Sequence, residues 1–179
     1  MPSAFADSGY TYAVTSETTR CITGYVGTEN NLVIPNKIDG YSVTAIGAEA
    51  FSGTQTITGV VIPEGVVSIG EFAFDASCVK SITLPASVKT LGMQSFSNCI
   101  YLTQINLPEG LTDLPETVFA FCPALRTIVL PQSMKTIGVG AFAYCHALTY
   151  VNIPEGVKIF DDSTFVRCDS ITSSPFLKA

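Results

Sequence analysis

The chain has 179 residues, 47% hydrophobic and only 13% charged, with a mean hydropathy of +0.39. That composition suits one domain or one continuous repeat array with a long core, and excludes a disordered polyelectrolyte. A net charge of −6 argues against nucleic acid as a partner. No apolar run reaches the ~18 residues of a membrane-spanning helix, so no membrane insertion is expected. One His and no Trp argue against a rich acid–base site.

In chain order, residues 1–9 read as a signal remnant or a disordered start. Ala4-Phe5-Ala6 fits the small-x-small pattern before a signal-peptidase cut, with Asp7 as the first mature residue. Residues 1–6 lack a basic and an apolar region, so they are either the tail of a trimmed signal or a chance Ala-x-Ala. Residues 10–34 follow as an N-terminal cap. Tyr10–Val14 and Cys21–Val26 alternate and are separated by polar Thr15–Arg20, which predicts a β-hairpin covering the open end of a core.

Residues 35–168 are periodic. Pro63, Pro85, Pro108, Pro131 and Pro154 lie 22, 23, 23 and 23 residues apart. Phe51, Phe74, Phe96, Phe119, Phe142 and Phe165 keep the same phase, which defines six units of about 23 residues. In the best-formed unit, Ile105 and Leu107 alternate with Gln104 and Asn106, a period of two that predicts a short strand. One unit cannot bury that strand's apolar face, so parallel stacking of units must do so. Pro108 ends the strand for want of an N–H, Glu109-Gly110 turns the chain, and Leu111 and Leu114 point back inward. A short helical turn is expected before Phe119, with Phe119 filling the core.

The spacing L-x-x-I-x-L of Leu102–Leu107 resembles the strand segment of leucine-rich repeats. Ile62–Phe74 and Leu130–Cys145 are similar to the BspA-like leucine-rich repeats of bacterial surface proteins, and Leu32–Phe51 resembles that family's opening unit. The resemblance covers roughly residues 10–170. It implies an α/β repeat solenoid: a right-handed leucine-rich-repeat superhelix with a parallel β-sheet on the concave face and short helical turns or loops on the convex face. It also implies a secreted or surface protein used in adhesion or host interaction, without naming a ligand. Four units carry Ile-Gly or Leu-Gly after the turn (Gly47, Gly70, Gly92, Gly138). Leu114-Pro115 and Phe160-Asp161 replace it in the others, so a different backbone is expected there because Gly adopts angles closed to Pro. Residues 169–179 form a short C-terminal end that barely covers the last unit. Truncation from a longer protein or self-association through that end is expected.

Cys99, Cys122, Cys145 and Cys168 recur three residues after their Phe, with Ser77 in the fifth such position. Ladder spacing near ~4.8 Å is too wide for disulfides, and zinc-type C-x2-4-C spacing is absent. They read as small buried apolar residues. Cys21 has no repeat partner. His146 beside Cys145 lacks an orienting group and reads as a surface histidine. Asp161-Asp162 reads as a solvated turn rather than a cation site. Glu64, Glu109 and Glu155 and Lys89, Lys135 and Lys158 form two columns expected to run side by side as weak surface pairs.

No credible catalytic group, cofactor site or metal site emerges. The candidate site is the concave face, where Gly59 and Val61 precede Ser81, Thr83, Gln104, Asn106, Thr127, Val129, Tyr150 and Asn152. Most of these residues are small or polar and uncharged, and Tyr150 alone is of the large amphipathic type found at hot spots. They suit a shallow face for an extracellular or host protein, or a glycan, or else a solvated sheet without ligand. The reading is a secreted or surface, non-catalytic binding and adhesion module. The alternative is a structural spacer or self-assembling segment of a larger surface protein.

Overall fold

The computed structural model describes residues 4–5, 9–159 and 162–171. The expectations for most of residues 1–9, for Phe160, for the Asp161-Asp162 turn and for residues 172–179 of the C-terminal end lie outside the described residues.

The expected hairpin forms. Tyr10–Val14 pairs antiparallel with Thr19–Tyr25, with a bulge at Thr11/Tyr12. It is tied to the first coil by the Tyr12 hydroxyl donating to Asp39 at 2.7 Å and the Tyr10 hydroxyl to the Val33 carbonyl at 3.2 Å. The buried Arg20 guanidinium lies 3.6 Å from the Tyr41 ring centroid, a cation–π contact that accommodates the charge.

The main sheet consists of six short parallel strands: Asn31–Val33, Gly59–Val61, Ser81–Thr83, Gln104–Asn106, Thr127–Val129 and Tyr150–Asn152. Each middle residue (Leu32, Val60, Ile82, Ile105, Ile128, Val151) is buried, as period-two alternation requires.

A second ladder runs along the flank after the proline turn. Thr19–Tyr25, Tyr41–Ile46, Ser68–Ile69 and Thr90–Leu91 pair in parallel, and Asp113–Leu114, Thr136–Ile137 and Lys158–Ile159 form a separate three-stranded sheet. The break has a chemical cause. Gly47, Gly70 and Gly92 donate their N–H to Ile22, Ile46 and Ile69 of the preceding coil, and Gly138 donates to Leu114. Pro115 stands in that position and has no N–H to offer Leu91. The glycines serve a purpose other than the one expected, since none of the four has positive φ. A Cβ at Gly70 would lie 2.5 Å from the Ala48 nitrogen, and one at Gly138 2.7 Å from the Glu116 nitrogen. Close approach of neighbouring coils therefore selects Gly.

In place of the helical turn expected before Phe119, a third hydrogen-bonded ladder runs through that stretch of the coil. Among the described residues the one helical element is the 3-10 turn Asp162–Phe165 in the last coil. In the coil around Phe74 the amides alternate: Ala73 bonds back to Gly70, Phe74 forward to Ser95, Asp75 back to Phe72, and Ala76 forward to Ser97. The pattern recurs from Glu49 to Tyr144. It requires left-handed residues at two phased positions, Glu49, Phe72, Gln94, Thr117 and Gly140, and Gly53, Ala76, Asn98, Phe121, Tyr144 and Arg167. A non-glycine residue there costs ~1–2 kcal/mol. The inter-coil bonds offset that cost by satisfying backbone groups that would otherwise be buried unpaired.

Behind this ladder the six Phe rings form one stack. Successive centroids lie 5.0, 5.3, 5.7, 5.7 and 5.4 Å apart, with interplanar angles between 5° and 16°. Phe119 is fully buried whereas Phe121, two residues on, is 44% exposed. We expect Phe119→Ala to lower the free energy of unfolding by ~3–5 kcal/mol through the cavity it leaves. Phe121→Ala, which loses only ring stacking on Tyr144, should cost about 1 kcal/mol. Urea unfolding of both variants tests this; equal losses would mean that the column does not hold the coils together.

Candidate functional site

The main sheet presents two outward columns. One runs Asn31, Gly59, Ser81, Gln104, Thr127, Tyr150, and the other Val33, Val61, Thr83, Asn106, Val129, Asn152. None of these residues is charged. The central residues surround a hollow of about 410 Å3 lined by Ser81, Thr83, Gln104, Asn106, Thr127 and Val129. A second hollow of about 300 Å3, which shares Ser81 and Thr83, extends over Val33, Gly59 and Val61. Tyr150 stands one coil beyond, about half exposed.

The eight candidate residues divide into two groups. Asn106 clamps the Leu84 peptide of the preceding coil: its Oδ1 accepts from Leu84 N–H at 3.1 Å and its Nδ2 donates to Leu84 C=O at 3.0 Å. Asn152 does the same to Leu130, at 2.7 and 3.1 Å. These two amides hold the scaffold. The side chains of Ser81, Thr83, Gln104, Thr127 and Tyr150 hydrogen-bond to no other group among the described residues and remain open to a ligand.

Charges lie outside the face. Exposed Lys80 and Arg126 stand at the start of their strands. The glutamates after the prolines do not pair with the lysine column as expected. Glu64 accepts from the Ala86 and Ser87 amides of the next coil, and Glu109 from the Gln132 amide. Charge-assisted bonds to free turn amides outweigh a solvated ion pair. Among the described residues the one contact within 4.0 Å between a basic side chain and a carboxylate is His146–Asp169, 2.9 Å apart and exposed on both sides. His146 is therefore a surface residue with a carboxylate partner that its own coil did not reveal.

The cysteine column is buried, and all six cysteines are free thiols. Each ladder thiol donates to the Phe carbonyl of the preceding coil: Cys99 to Phe74, Cys122 to Phe96, Cys145 to Phe119 and Cys168 to Phe142, at 3.0–3.2 Å. Thr54, in the same repeat position, bonds the Phe51 carbonyl within its own coil. The column thus selects small residues with a hydrogen to donate. Burial pushes the Cys145 thiol up to about 12 and the Cys168 thiol to about 11. No group of three or more His, Cys, Asp or Glu among the described residues could hold a metal ion.

Sequence reasoning missed a second exposed feature. Phe121 and Tyr144 stack at 4.7 Å on the corner after the Phe column, and exposed Ile100 and Tyr101 follow Cys99. The signal was present in the sequence as large apolar residues at positions where earlier coils place Gly53 and Ala76.

Residues 44–172 match the BspA type leucine rich repeat region in six copies, so the chain belongs to the BspA-type leucine-rich-repeat family. Among solved structures it is similar to the leucine-rich repeat protein TpLRR of T. pallidum, with 28% identity over 93% of this chain and 68% of that one, TM-score 0.59. It is also similar to a leucine-rich repeat protein of Bacteroides ovatus, with 25% identity over 87% and 55% of the two chains, TM-score 0.54. A leucine-rich repeat protein of Eubacterium ventriosum shares the fold at 23% identity, over 97% and 53%, TM-score 0.69. The chain thus spans about two thirds of the first relative and little more than half of the other two. The comparison with curated proteins found no match.

Three outcomes follow. Asn106→Ala should lose ~1–2 kcal/mol of stability by stranding the Leu84 peptide groups, while Gln104→Ala should stay within ~0.5 kcal/mol; equal effects in denaturant titrations would refute the division of the face. At pH 8 a thiol reagent should label half-buried Cys21 and Cys78 and spare the four ladder thiols until the chain unfolds. Because the folded state holds Cys145 and Cys168 neutral, their contribution to stability is intact below the ordinary thiol value of 9.0. It is lost as pH rises toward about 12, and Cys145→Ala should flatten that fall.

Proposed function

We propose that this chain is a non-catalytic binding and adhesion module of a secreted or surface protein, and that it engages an extracellular protein or a glycan through the six-stranded face. One observation carries the reading. Asn106 and Asn152 on this face are used to join one coil to the next, yet the side chains of Ser81, Thr83, Gln104 and Thr127 have no hydrogen-bond partner among the described residues around a hollow of about 410 Å3. Solenoids present such extended faces to their partners, and the hollow falls within the roughly 300–1,000 Å3 range of small-ligand pockets. Membership of the BspA-type family supports the surface location. A structure sharing the fold at 20% identity, covering 85% of this chain and 50% of that one with a TM-score of 0.64, is described as a pneumococcal vaccine antigen, PcpA.

The test is binding of the folded protein to wells coated with extracellular-matrix proteins or mucin-type glycans. Gln104→Arg, which places a charge in the hollow, and Tyr150→Ala should each weaken binding by about tenfold, or 1.4 kcal/mol. Wild-type affinity in both variants would remove the six-stranded face from consideration.

A further inference from the structure

We infer that the six-stranded face takes a neutral carbohydrate chain, laid across the strands so that successive sugars meet successive coils. This rests on the reading of that face as the binding surface and adds the class of ligand.

The first support is charge. The chain carries 15 acidic and 9 basic Asp, Glu, Lys and Arg residues, yet none occupies an outward position on the six strands. Recognition of sulfated or carboxylated glycans, or of charged peptides, uses opposite charges or charge-assisted hydrogen bonds. Of the glutamates on the strand-end turns, Glu64 and Glu109 are engaged by backbone amides, and Glu155 follows a strand that lines neither hollow. A neutral ligand meets no uncompensated charge anywhere on this face.

The second support is the kind of polar group left free. Ser, Thr and Gln side chains each donate and accept, as sugar hydroxyls do. The side chains of Ser81, Thr83, Gln104 and Thr127 converge on one hollow with no hydrogen-bond partner among the described residues. Tyr150 adds a half-exposed ring one coil away, an apolar body with a polar tip suited to the C–H face and hydroxyls of a sugar.

The third support is repetition. The two hollows share Ser81 and Thr83 and run along the sheet, so the surface is a track rather than a single pocket. Columns repeated at roughly 4.8 Å suit a polymer of like units. A polypeptide adding as a strand needs an unpaired edge, and the strands that line the larger hollow are paired on both sides. The apolar residue lining that hollow with its side chain outward is Val129, too flat a feature to seat a peptide's side-chain anchor.

The test is affinity electrophoresis of the wild-type chain, Gln104→Arg and Phe121→Ala. The gels contain mannan, dextran, xylan or galactan as neutral probes, and heparin or polygalacturonate as anionic ones, at low and high salt. The expected result is retardation by at least one neutral polysaccharide that salt does not weaken, that Gln104→Arg reduces about tenfold or more, and that Phe121→Ala leaves unchanged. Retardation by none of the neutral probes, or only by the anionic ones and lost in salt, overturns the inference. If Gln104→Arg abolishes binding to protein-coated wells while no polysaccharide retards the chain, the carbohydrate class falls and the face survives. If a neutral polysaccharide binds Gln104→Arg as well as wild type, both fall.

Discussion

The fold depends on backbone hydrogen bonding between neighbouring coils, repeated on three sides of the solenoid except where the flank ladder breaks at Pro115. The main sheet, the flank ladder and the turn ladder before each Phe each carry such bonds from one coil to the next. A unit of this size cannot satisfy its own backbone, and it cannot bury its own apolar face. Once the coils are locked at one spacing, side chains in equivalent positions must stack on their own kind. The Phe rings form a column for that reason, and the thiols reach the carbonyl one coil back. Gly47, Gly70, Gly92 and Gly138 are required because backbone passes too close for a side chain, as the Gly70 and Gly138 contacts show.

Much of this was legible because repetition amplifies weak local signals. Pro108 or Ile105 alone says little, but the same residues in phase over six units define the strand, the turn and the core. The turn ladder was not legible. Its left-handed positions are filled by Phe72, Gln94, Thr117, Phe121 and Tyr144, residue types that local propensity places elsewhere. What holds them there is bonding to carbonyls 21 or 22 residues further along the chain, which no local window contains. The same holds for Glu64 and Glu109, whose partners are amides of the following turn. The flank break at Pro115 was visible as a departure, but its consequence, a split sheet, follows only once the Gly N–H is known to be an inter-coil donor.

The candidate face was located by alternation alone, and the structure refines its membership. Asn106 and Asn152 look like ligand groups in sequence, yet they spend their amides on peptide groups of the preceding coil. Gln104, one pleat away, does not. The candidate face therefore offers what the scaffold leaves unused: uncharged donors and acceptors over a shallow hollow. The same economy explains why a cysteine column carries no chemistry. Its thiols are buried hydrogen-bond donors, and burial holds those of Cys122, Cys145 and Cys168 away from the reactive thiolate form.

Residue-resolved amide hydrogen exchange tests the central claim most directly. If the coils are joined on three sides, the forward-bonded amides of Phe96, Phe119 and Phe142 exchange as slowly as those of the main-sheet strands at Ile105 and Ile128. Exchange of the segments around Phe119 and Phe142 at rates typical of surface loops, with only the main sheet protected, would contradict it.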